Sequence, residues 1–161
     1  MKKKVLVLGC TGSIGTSTLD IIRDFPDLFS VAGILAHNSE EKIKALSKEF
    51  GGVNFFLTKN STTTQLEEFI INSQADIVVN GISTSAGLFS SVVALKAGMD
   101  LALANKETIV MAGKIIKKIA KENNANILPV DSEHSAVFSL INRYGKDSVK
   151  EIILTASGGP F

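Results

Sequence analysis

Two carboxylates two residues apart, Asp131 and Glu133, are the residues whose types and spacing most directly suggest chemistry. They follow an apolar run at 127–128, which is typical of a buried strand. Residues two apart in an extended chain point to the same side, whereas in a helix they lie about 200° apart. We therefore expect a strand end at which both carboxylates face one hard cation. Mg²⁺ and Mn²⁺ prefer oxygen ligands, so this pair supplies half of such a site and needs further oxygens.

The elements that must position these residues alternate between short apolar runs and helical patterns. Strands are predicted at 5–8, 31–35, 54–57, 77–80, 101–103, 127–130 and 151–154, and helices at 14–24, 40–50, 64–72, 85–96, 106–123 and 135–144. This alternation predicts right-handed βαβ units and a parallel sheet covered on both sides. Asn38 with Glu41, and Asn105, are predicted helix caps. Four isoleucines are predicted to form the inner stripe of the fifth helix: Ile109, Ile115, Ile116 and Ile119.

A glycine-rich loop follows the first predicted strand. Gly9, Gly12 and Gly15 stand at its first, fourth and seventh positions, and a helical pattern begins at once. Glycines let a backbone turn tightly and approach a pyrophosphate, while free N–H groups at the helix start point at the anion. Turns also collect glycine for steric reasons alone. The position between first strand and first helix nevertheless favours a dinucleotide site, in which Cys10 is interpreted as a small filling residue.

The end of the second predicted strand indicates which dinucleotide binds. NAD-specific sites usually carry Asp or Glu there, to bind the ribose 2′-hydroxyl. This chain has Ala36, His37, Asn38 and Ser39, with Lys42 one turn further on. These residues offer hydrogen-bond donors and place no carboxylate against a 2′-phosphate, so NADP is favoured. The alternative is an exposed turn in which Ser39 caps the helix.

Polar segments also follow the later strands, at 80–88, 104–107, 131–134 and 157–159. The carboxyl ends of parallel strands lie along one edge of a sheet, where ligands bind. The motifs are therefore predicted to converge on one crevice. Lys106 is interpreted as a general acid or a phosphate partner, because a cation in the first turn of a helix opposes the helix dipole. The alternative is a surface lysine.

Composition limits the class of protein. The chain has 161 residues, 45% of them hydrophobic and 20% charged, with a formal net charge of +1. These values are typical of a globular domain and argue against a nucleic-acid-binding surface. No apolar run approaches the ~18 residues of a membrane span. Cys10 is the only cysteine, which favours a reducing cytoplasm. A glycine-rich ending with Phe161 suggests the N-terminal part of a longer protein.

Four segments together resemble the 1-deoxy-D-xylulose 5-phosphate reductoisomerase family. They lie at 9–15, 104–107, 128–135 (Leu-Pro-Val-Asp-Ser-Glu-His-Ser) and 154–161 (Leu-Thr-Ala-Ser-Gly-Gly-Pro-Phe). The resemblance implies an α/β fold with a doubly wound, mainly parallel Rossmann-type sheet. It also implies an NADPH-binding domain at 1–130 and the beginning of a catalytic, metal-binding domain, truncated, at 131–161.

The resemblance further implies an oxidoreductase that converts 1-deoxy-D-xylulose 5-phosphate to 2-C-methyl-D-erythritol 4-phosphate in the non-mevalonate isoprenoid pathway. Its cofactors would be NADPH and Mg²⁺ or Mn²⁺, with Co²⁺ as a further candidate, and the longer enzyme would be a homodimer. Carried over by position, the cofactor-binding residues are Thr11, Gly12, Ser13, Ile14, His37, Asn38, Asn105 and Glu107. The metal ligands are Asp131 and Glu133, the substrate-binding residues are Lys106, Ser132, Glu133 and Ser157, and the catalytic residues are Lys106 and Glu133.

Two departures from the family pattern bear on these expectations. His37 stands where many members carry lysine, and Thr84 replaces a commonly found glycine. The third metal carboxylate, the later phosphate-binding residues and the lid are absent, so this fragment is expected to bind NADPH without turnover. Two other readings stay open. One is a non-catalytic NADP sensor. The other is a different NADP oxidoreductase such as a semialdehyde dehydrogenase, although that class requires a catalytic cysteine downstream of Cys10.

Overall fold

The structure, a computed structural model, describes residues 1–153. Within this range one parallel sheet has the strand order β3-β2-β1-β4-β5-β6. The strands are β1 (Lys3–Leu8), β2 (Phe29–Ala36), β3 (Phe55–Leu57), β4 (Ile77–Asn80), β5 (Asp100–Leu103) and β6 (Ile127–Pro129). The helices are α1 (Ser13–Asp24), α2 (Glu40–Glu49), α3 (Thr63–Asn72), α4 (Gly87–Lys96), α5 (Lys106–Glu122) and α6 (Ser132–Tyr144). This strand order is that of doubly wound dinucleotide-binding folds, so the predicted fold class is confirmed.

Two hydrophobic cores lie on opposite faces of the sheet. Val5 and Val7 of β1 pack with the core residues of α1 and α2, whereas Leu6 and Leu8 pack with those of α3, α4 and α5. Alternate side chains of a strand point to opposite faces, so a strand buried on both faces must be apolar at every position. This is why β1 appears in the sequence as a continuous apolar run.

The start of α6 differs from the prediction. The helix begins at Ser132, three residues before the predicted start, with Asp131 as its N-cap. The Ser135 N–H donates to the Asp131 carbonyl oxygen (2.8 Å), which closes the first turn. The acid pair therefore lies at a helix start, and the predicted extended segment is wrong.

The predicted seventh strand is also wrong over 151–153. These residues are exposed and form no strand, because no neighbouring strand within the described range pairs with them. Leu154, the last residue of that prediction, lies outside the described residues.

Two predictions about helix surfaces are corrected as well. The N-cap of α2 is Ser39, and no side chain caps it, so the predicted arrangement of Asn38 with Glu41 is wrong. Glu40 instead pairs with Lys44 one turn later (2.6 Å). Ile115 is 61% exposed and does not belong to the predicted inner stripe, because it lies about 100° around the helix axis from the buried Ile116. The helix is also kinked at Ala112 (φ −138°, ψ 19°). Over the described residues, no helix combines the length and apolar character needed to cross a bilayer.

Candidate functional site

The conformation of the glycine loop is fixed by its contacts with β2 and α1. Gly9 has a φ of +82°, a conformation that favours glycine. Its N–H and that of Cys10 both donate to the Leu35 carbonyl oxygen (2.8 and 2.9 Å), which ties the loop to β2. A Cβ on Gly15 would lie 2.2 Å from the Gly9 carbonyl oxygen. The turn and the close packing of α1 therefore require Gly9 and Gly15 whether or not a ligand binds.

Gly12 differs from these two glycines. A Cβ there would approach nothing more closely than the Gly9 carbonyl oxygen at 3.4 Å, an ordinary contact. Gly12 is the exposed N-cap of α1, and neither a capping side chain nor an acidic first-turn residue occupies that helix start. Orphan N–H groups at such a start suit an anion. The Gly12 N–H itself donates to the Gly9 carbonyl oxygen (3.0 Å), so the N–H groups that suit a pyrophosphate are those of Ser13 and Ile14, in the first turn of the helix.

Cys10 is buried within this loop and is a free thiol. Burial raises the pKa of the Cys10 thiol to about 11. The thiolate is the reactive form of cysteine, so this side chain stays unreactive near neutral pH. The interpretation of Cys10 as a filling residue is therefore supported.

The end of β2 is joined to the 3₁₀ turn Thr58–Asn60 that follows β3. His37 Nδ1 lies 2.9 Å from Thr58 Oγ1, and the Lys59 N–H donates to the His37 carbonyl oxygen (3.0 Å). Thr58 and Lys59 were not among the predicted site residues because they are distant from His37 along the chain. The pairing of β2 with β3 is the signal that could have identified them. Ala36 pairs with Leu57, so the residues that follow these two must lie side by side.

Two buried asparagines hold the loop after β4. The Asn105 amide donates to the carbonyl oxygens of Ile82 and Thr84, and its oxygen accepts from the Thr108 N–H (2.8 Å). Asn105 therefore caps α5 as predicted, but its side-chain hydrogen-bonding groups are all engaged within the protein. Its link to a cofactor would be through the position of the loop.

Asn80 completes this arrangement from the end of β4. Its amide donates to the Gly87 carbonyl oxygen (2.8 Å) and to Ser91 Oγ (2.8 Å), and its oxygen accepts from the Ile82 N–H (3.1 Å). A Cβ on Gly87 would lie 2.8 Å from the Asn105 amide nitrogen, so glycine is required where the asparagines converge.

Thr84 lies in this held loop with a φ of +64°. A β-branched residue is disfavoured in the left-handed region, whereas glycine enters it freely. Thr84, which replaces a commonly found glycine, therefore adopts a backbone conformation that favours glycine.

The glycine loop and the loop after β4 are in direct contact. The Gly81 N–H donates to the Leu8 carbonyl oxygen (2.9 Å). A Cβ on Gly9 would lie 3.0 Å from the Gly81 carbonyl carbon, and one on Gly81 would lie 3.2 Å from Ile14 Cβ. Since Asn105 joins the same loop to α5, the edge is continuous from the start of α1 to the start of α5.

The acid pair lies beyond Lys106 on this edge. The Ser132 hydroxyl donates to Glu133 Oε2 (2.6 Å). The pKa of Glu133 lies below its ordinary value, first because of that bond, and further because of its own backbone N–H, the Asp131 carboxyl and the charge of Lys106. Asp131 and Glu133 thus adjoin even though the segment is not extended, and they retain the hard oxygen donors that Mg²⁺ prefers. His134 Nδ1 lies 3.6 Å from Asp131 Oδ1.

A groove of ≈ 800 Å³ connects several predicted residues. Its polar lining includes Asn105, Lys106, Asp131, Glu133 and His134, and its apolar lining comes from α5, α6 and the ends of β5 and β6, with Ile152. Glu107 is exposed in the first turn of α5 and does not line this groove. Ser157 lies outside the described residues. Within residues 1–153, no group of three or more His, Cys, Asp or Glu is arranged to hold a metal.

Comparison with known proteins finds one family across the chain. The family model for 1-deoxy-D-xylulose 5-phosphate reductoisomerase matches residues 5–73 and 54–113, and the model for its C-terminal domain matches 127–161. The curated 1-deoxy-D-xylulose 5-phosphate reductoisomerase of Treponema denticola is 49% identical over 99% of this chain and 44% of its own length. The chain therefore spans about half the length of the curated relatives it matches.

Two solved structures of this kind share the fold. The Zymomonas mobilis reductoisomerase in complex with NADPH has a TM-score of 0.86 and 32% identity, over 99% of this chain and 47% of that one. A DOX-P reductoisomerase in complex with NADPH, fosmidomycin and magnesium has a TM-score of 0.77 and 33% identity, over 85% of this chain and 38% of that one.

Proposed function

This chain belongs to the 1-deoxy-D-xylulose 5-phosphate reductoisomerase family, and we propose that it forms the NADPH-binding part and the first metal ligands of such an enzyme. The observation that carries the proposal is the start of α1, which is uncapped and acid-free, with Gly12 open to a ligand. The NADPH complex of the Zymomonas mobilis relative supports the choice of cofactor.

Each part of the edge has a role in this proposal. The segment Thr11, Gly12, Ser13 and Ile14 surrounds the pyrophosphate, and the N–H groups of Ser13 and Ile14 donate to it, because that of Gly12 donates to the Gly9 carbonyl oxygen. His37 and Asn38 face the ribose 2′-phosphate. Asn105 and Glu107 serve the nicotinamide half, Asn105 by holding the loop after β4. When bound, NADPH supplies the hydride for the reduction.

The acid pair is proposed to hold Mg²⁺, Mn²⁺ or Co²⁺ through Asp131 and Glu133. The Ser132 hydroxyl donates to Glu133 Oε2 and lowers the pKa of that carboxyl. A divalent ion there supplies charge stabilisation for substrate oxygens that become negative. Lys106 shares the groove with both acids and provides a positive charge for a sugar phosphate, and together with Glu133 it forms the catalytic pair. Ser132 and Ser157 are further substrate contacts.

The substrate of the whole enzyme is proposed to be 1-deoxy-D-xylulose 5-phosphate, and the product 2-C-methyl-D-erythritol 4-phosphate. The printed names of the relatives support this choice. We place the enzyme in a reducing cytoplasm, since Cys10 is a free and buried thiol, and expect the longer protein to be a homodimer. The 161-residue chain is proposed to bind NADPH without turnover.

Calorimetric titration of the chain with NADPH and NADH tests the cofactor assignment. We expect NADPH to bind more tightly than NADH. Gly12→Ala is expected to weaken NADPH binding about tenfold or more, because the added methyl occupies the approach of the pyrophosphate. Its thermal stability should be unchanged, since the methyl meets no close neighbour in the free protein.

Gly113→Ala is the matched control. A Cβ at Gly113 would meet only Ile109 Cγ2, at 3.6 Å, and this helical position is remote from α1. NADPH affinity should therefore stay at the wild-type value. Equal binding of the two cofactors by the wild-type chain, or binding of neither, would overturn the assignment.

A further inference from the structure

We propose that Lys59 determines the preference for NADPH over NADH by binding the 2′-phosphate, and that Thr58 positions His37 beside it. This inference rests on the proposed function, because it assigns selectivity within the same cofactor site. Both residues lie in the 3₁₀ turn Thr58–Asn60, outside the loop that the glycine motif and the end of β2 define.

Backbone geometry places the turn against the end of β2. Ala36 pairs with Leu57 in the parallel register, and the Lys59 N–H then donates to the His37 carbonyl oxygen (3.0 Å). Parallel strands bind ligands at their carboxyl ends, so a residue fixed to His37 in this way faces the same edge. A lysine side chain is long enough to extend its ammonium group beyond the neighbouring imidazole.

The charge of Lys59 is available to a ligand. Lys59 is exposed, and it takes part in none of the ion pairs formed among residues 1–153. Lys44 of α2, by contrast, pairs with Glu40 at 2.6 Å. This pair also partly neutralises one of the two acids in the first turn of α2, the negative charges nearest to His37 in sequence.

The imidazole of His37 has only one ring nitrogen left for a phosphate once Nδ1 is next to Thr58, whereas a lysine ammonium offers three N–H donors. Lysine carries its charge throughout the neutral range. The 2′-phosphate gives NADPH close to two more negative charges than NADH. A lysine ammonium can form charge-assisted hydrogen bonds with that group. Lys59 therefore adds ammonium donors beside the single ring nitrogen that His37 offers.

Thr58 fixes which nitrogen of His37 remains free. Nδ1 is within hydrogen-bond distance of Thr58 Oγ1 (2.9 Å), so Nε2 is the nitrogen left for a ligand. If the hydroxyl donates to Nδ1, the neutral ring carries its proton on Nε2, and the protonated ring also donates from Nε2. Thr58 is thus a positioning residue that presents a donor to the phosphate.

The test compares dissociation constants for NADPH and NADH, measured calorimetrically on the chain. Lys59→Ala is expected to weaken NADPH binding about tenfold, the loss of one charge-assisted bond, and to leave NADH binding within about twofold. Lys59→Arg should keep the preference for NADPH. Lys96→Ala, at the C-terminal end of α4, should bind both cofactors like the wild type.

Thr58→Val tests the positioning role, because it keeps the side-chain shape and removes the hydroxyl. NADPH binding should weaken about threefold with NADH binding unchanged, and Thr58→Ser should restore it. Unchanged NADPH affinity in Lys59→Ala, or an equal loss for both cofactors, would overturn the inference. A wild-type chain that binds neither cofactor would instead overturn the proposed function.

Discussion

Thr84 is held in a conformation that disfavours its own side chain. Its φ of +64° lies in a region that costs a residue other than glycine about 1–3 kcal/mol. Hydrogen bonds from Asn105 to the carbonyl oxygens of Ile82 and Thr84 maintain that conformation. Strain of this kind persists where the surroundings over-determine the backbone, which here is the edge that would carry the cofactor.

Thr84→Gly is expected to stabilise the protein by about 1 kcal/mol, since relief of the strain exceeds the added entropy of an unfolded glycine. Urea unfolding followed by circular dichroism measures the change, as the chain has no tryptophan. Ser83→Gly is the control, because Ser83 has an ordinary φ of −73° and should lose about 0.5–1 kcal/mol. Destabilisation by Thr84→Gly would contradict the strain argument.

Cys10 predicts a specific pH dependence. Burial raises the pKa of its thiol from 9.0 to about 11, so below pH 9 the thiol is protonated whether the chain is folded or unfolded. Between about pH 9 and 11 only the unfolded chain ionises, and stability falls by about 2–3 kcal/mol as the pH rises. Cys10→Ala, in which this group is absent, should lose less stability over the same interval.

Thiol labelling gives a second measurement on the same residue. A thiol reagent such as Ellman's reagent should modify Cys10 at pH 8 only on unfolding or local opening, because the thiol is buried and protonated. Bound NADPH should slow the labelling further, since a ligand stabilises the folded form. Rapid labelling of the folded protein would show that the loop is more open than the structure indicates.

The helices that begin at the carboxyl edge of the sheet differ in whether a side chain accepts a hydrogen bond from the N–H groups of their first turn. Thr62 and Gln65 form a capping box at α3, and Asn105 caps α5. No side chain caps α1 or α6. The capped starts complete their hydrogen bonds within the protein, whereas the start of α1 keeps its N–H groups for a ligand. The starts of α2 and α4 are also uncapped, and α1 differs from α2 in having no acidic residue in its first turn.

Asn105→Ala is expected to destabilise the protein by about 3 kcal/mol, because α5 loses its cap and two carbonyl oxygens lose their donor. NADPH affinity should fall as well, since the loop after β4 is released. Unfolding curves and calorimetric titration measure the two effects. Asn123→Ala removes one bond near the end of α5, to the Ile119 carbonyl oxygen (2.8 Å), and should cost less than about 1 kcal/mol.

Elements formed by local patterns could be predicted from the sequence. Apolar runs indicated β1 to β6, and the Asn105 cap indicated the start of α5. The start of α6 was misplaced because Asp131 can either end an extended segment or cap a helix. Thr58 and Lys59 were missed because their proximity to His37 depends on strand pairing, which a local pattern does not encode. The kink of α5 at Ala112 has no local sequence signal either.

In the molecule as a whole, side chains are less buried near the acid pair than in the centre of the sheet. The sheet holds two cores, whereas α6 has no buried residue in the described structure. The groove beside it is lined with apolar side chains from α5 and α6, and it opens next to Asp131 and Glu133. The glycine loop therefore adjoins a packed sheet, whereas the acid pair lies at the start of a helix that has no buried residue in the described structure.

The chain is accordingly expected to bind Mn²⁺ more weakly than micromolar and to form no product from 1-deoxy-D-xylulose 5-phosphate and NADPH. Two carboxylates are fewer than a stable site of this kind usually needs. Calorimetry with Mn²⁺ and an absorbance assay of NADPH oxidation measure the two outcomes. Glu133→Gln should abolish the residual metal binding and leave NADPH affinity unchanged. Micromolar binding or measurable turnover would show that the described ligands suffice.

The contact between the glycine loop and the loop after β4 also has an evolutionary consequence. A side chain at Gly9 would strike Gly81, and one at Gly81 would press on Ile14. A substitution at position 81 would therefore displace the start of α1. Such a displacement would weaken cofactor binding, so natural selection would act against it. Positions 9, 14 and 81 are expected to show epistasis, so that each restricts which substitutions descendants can accept at the other two.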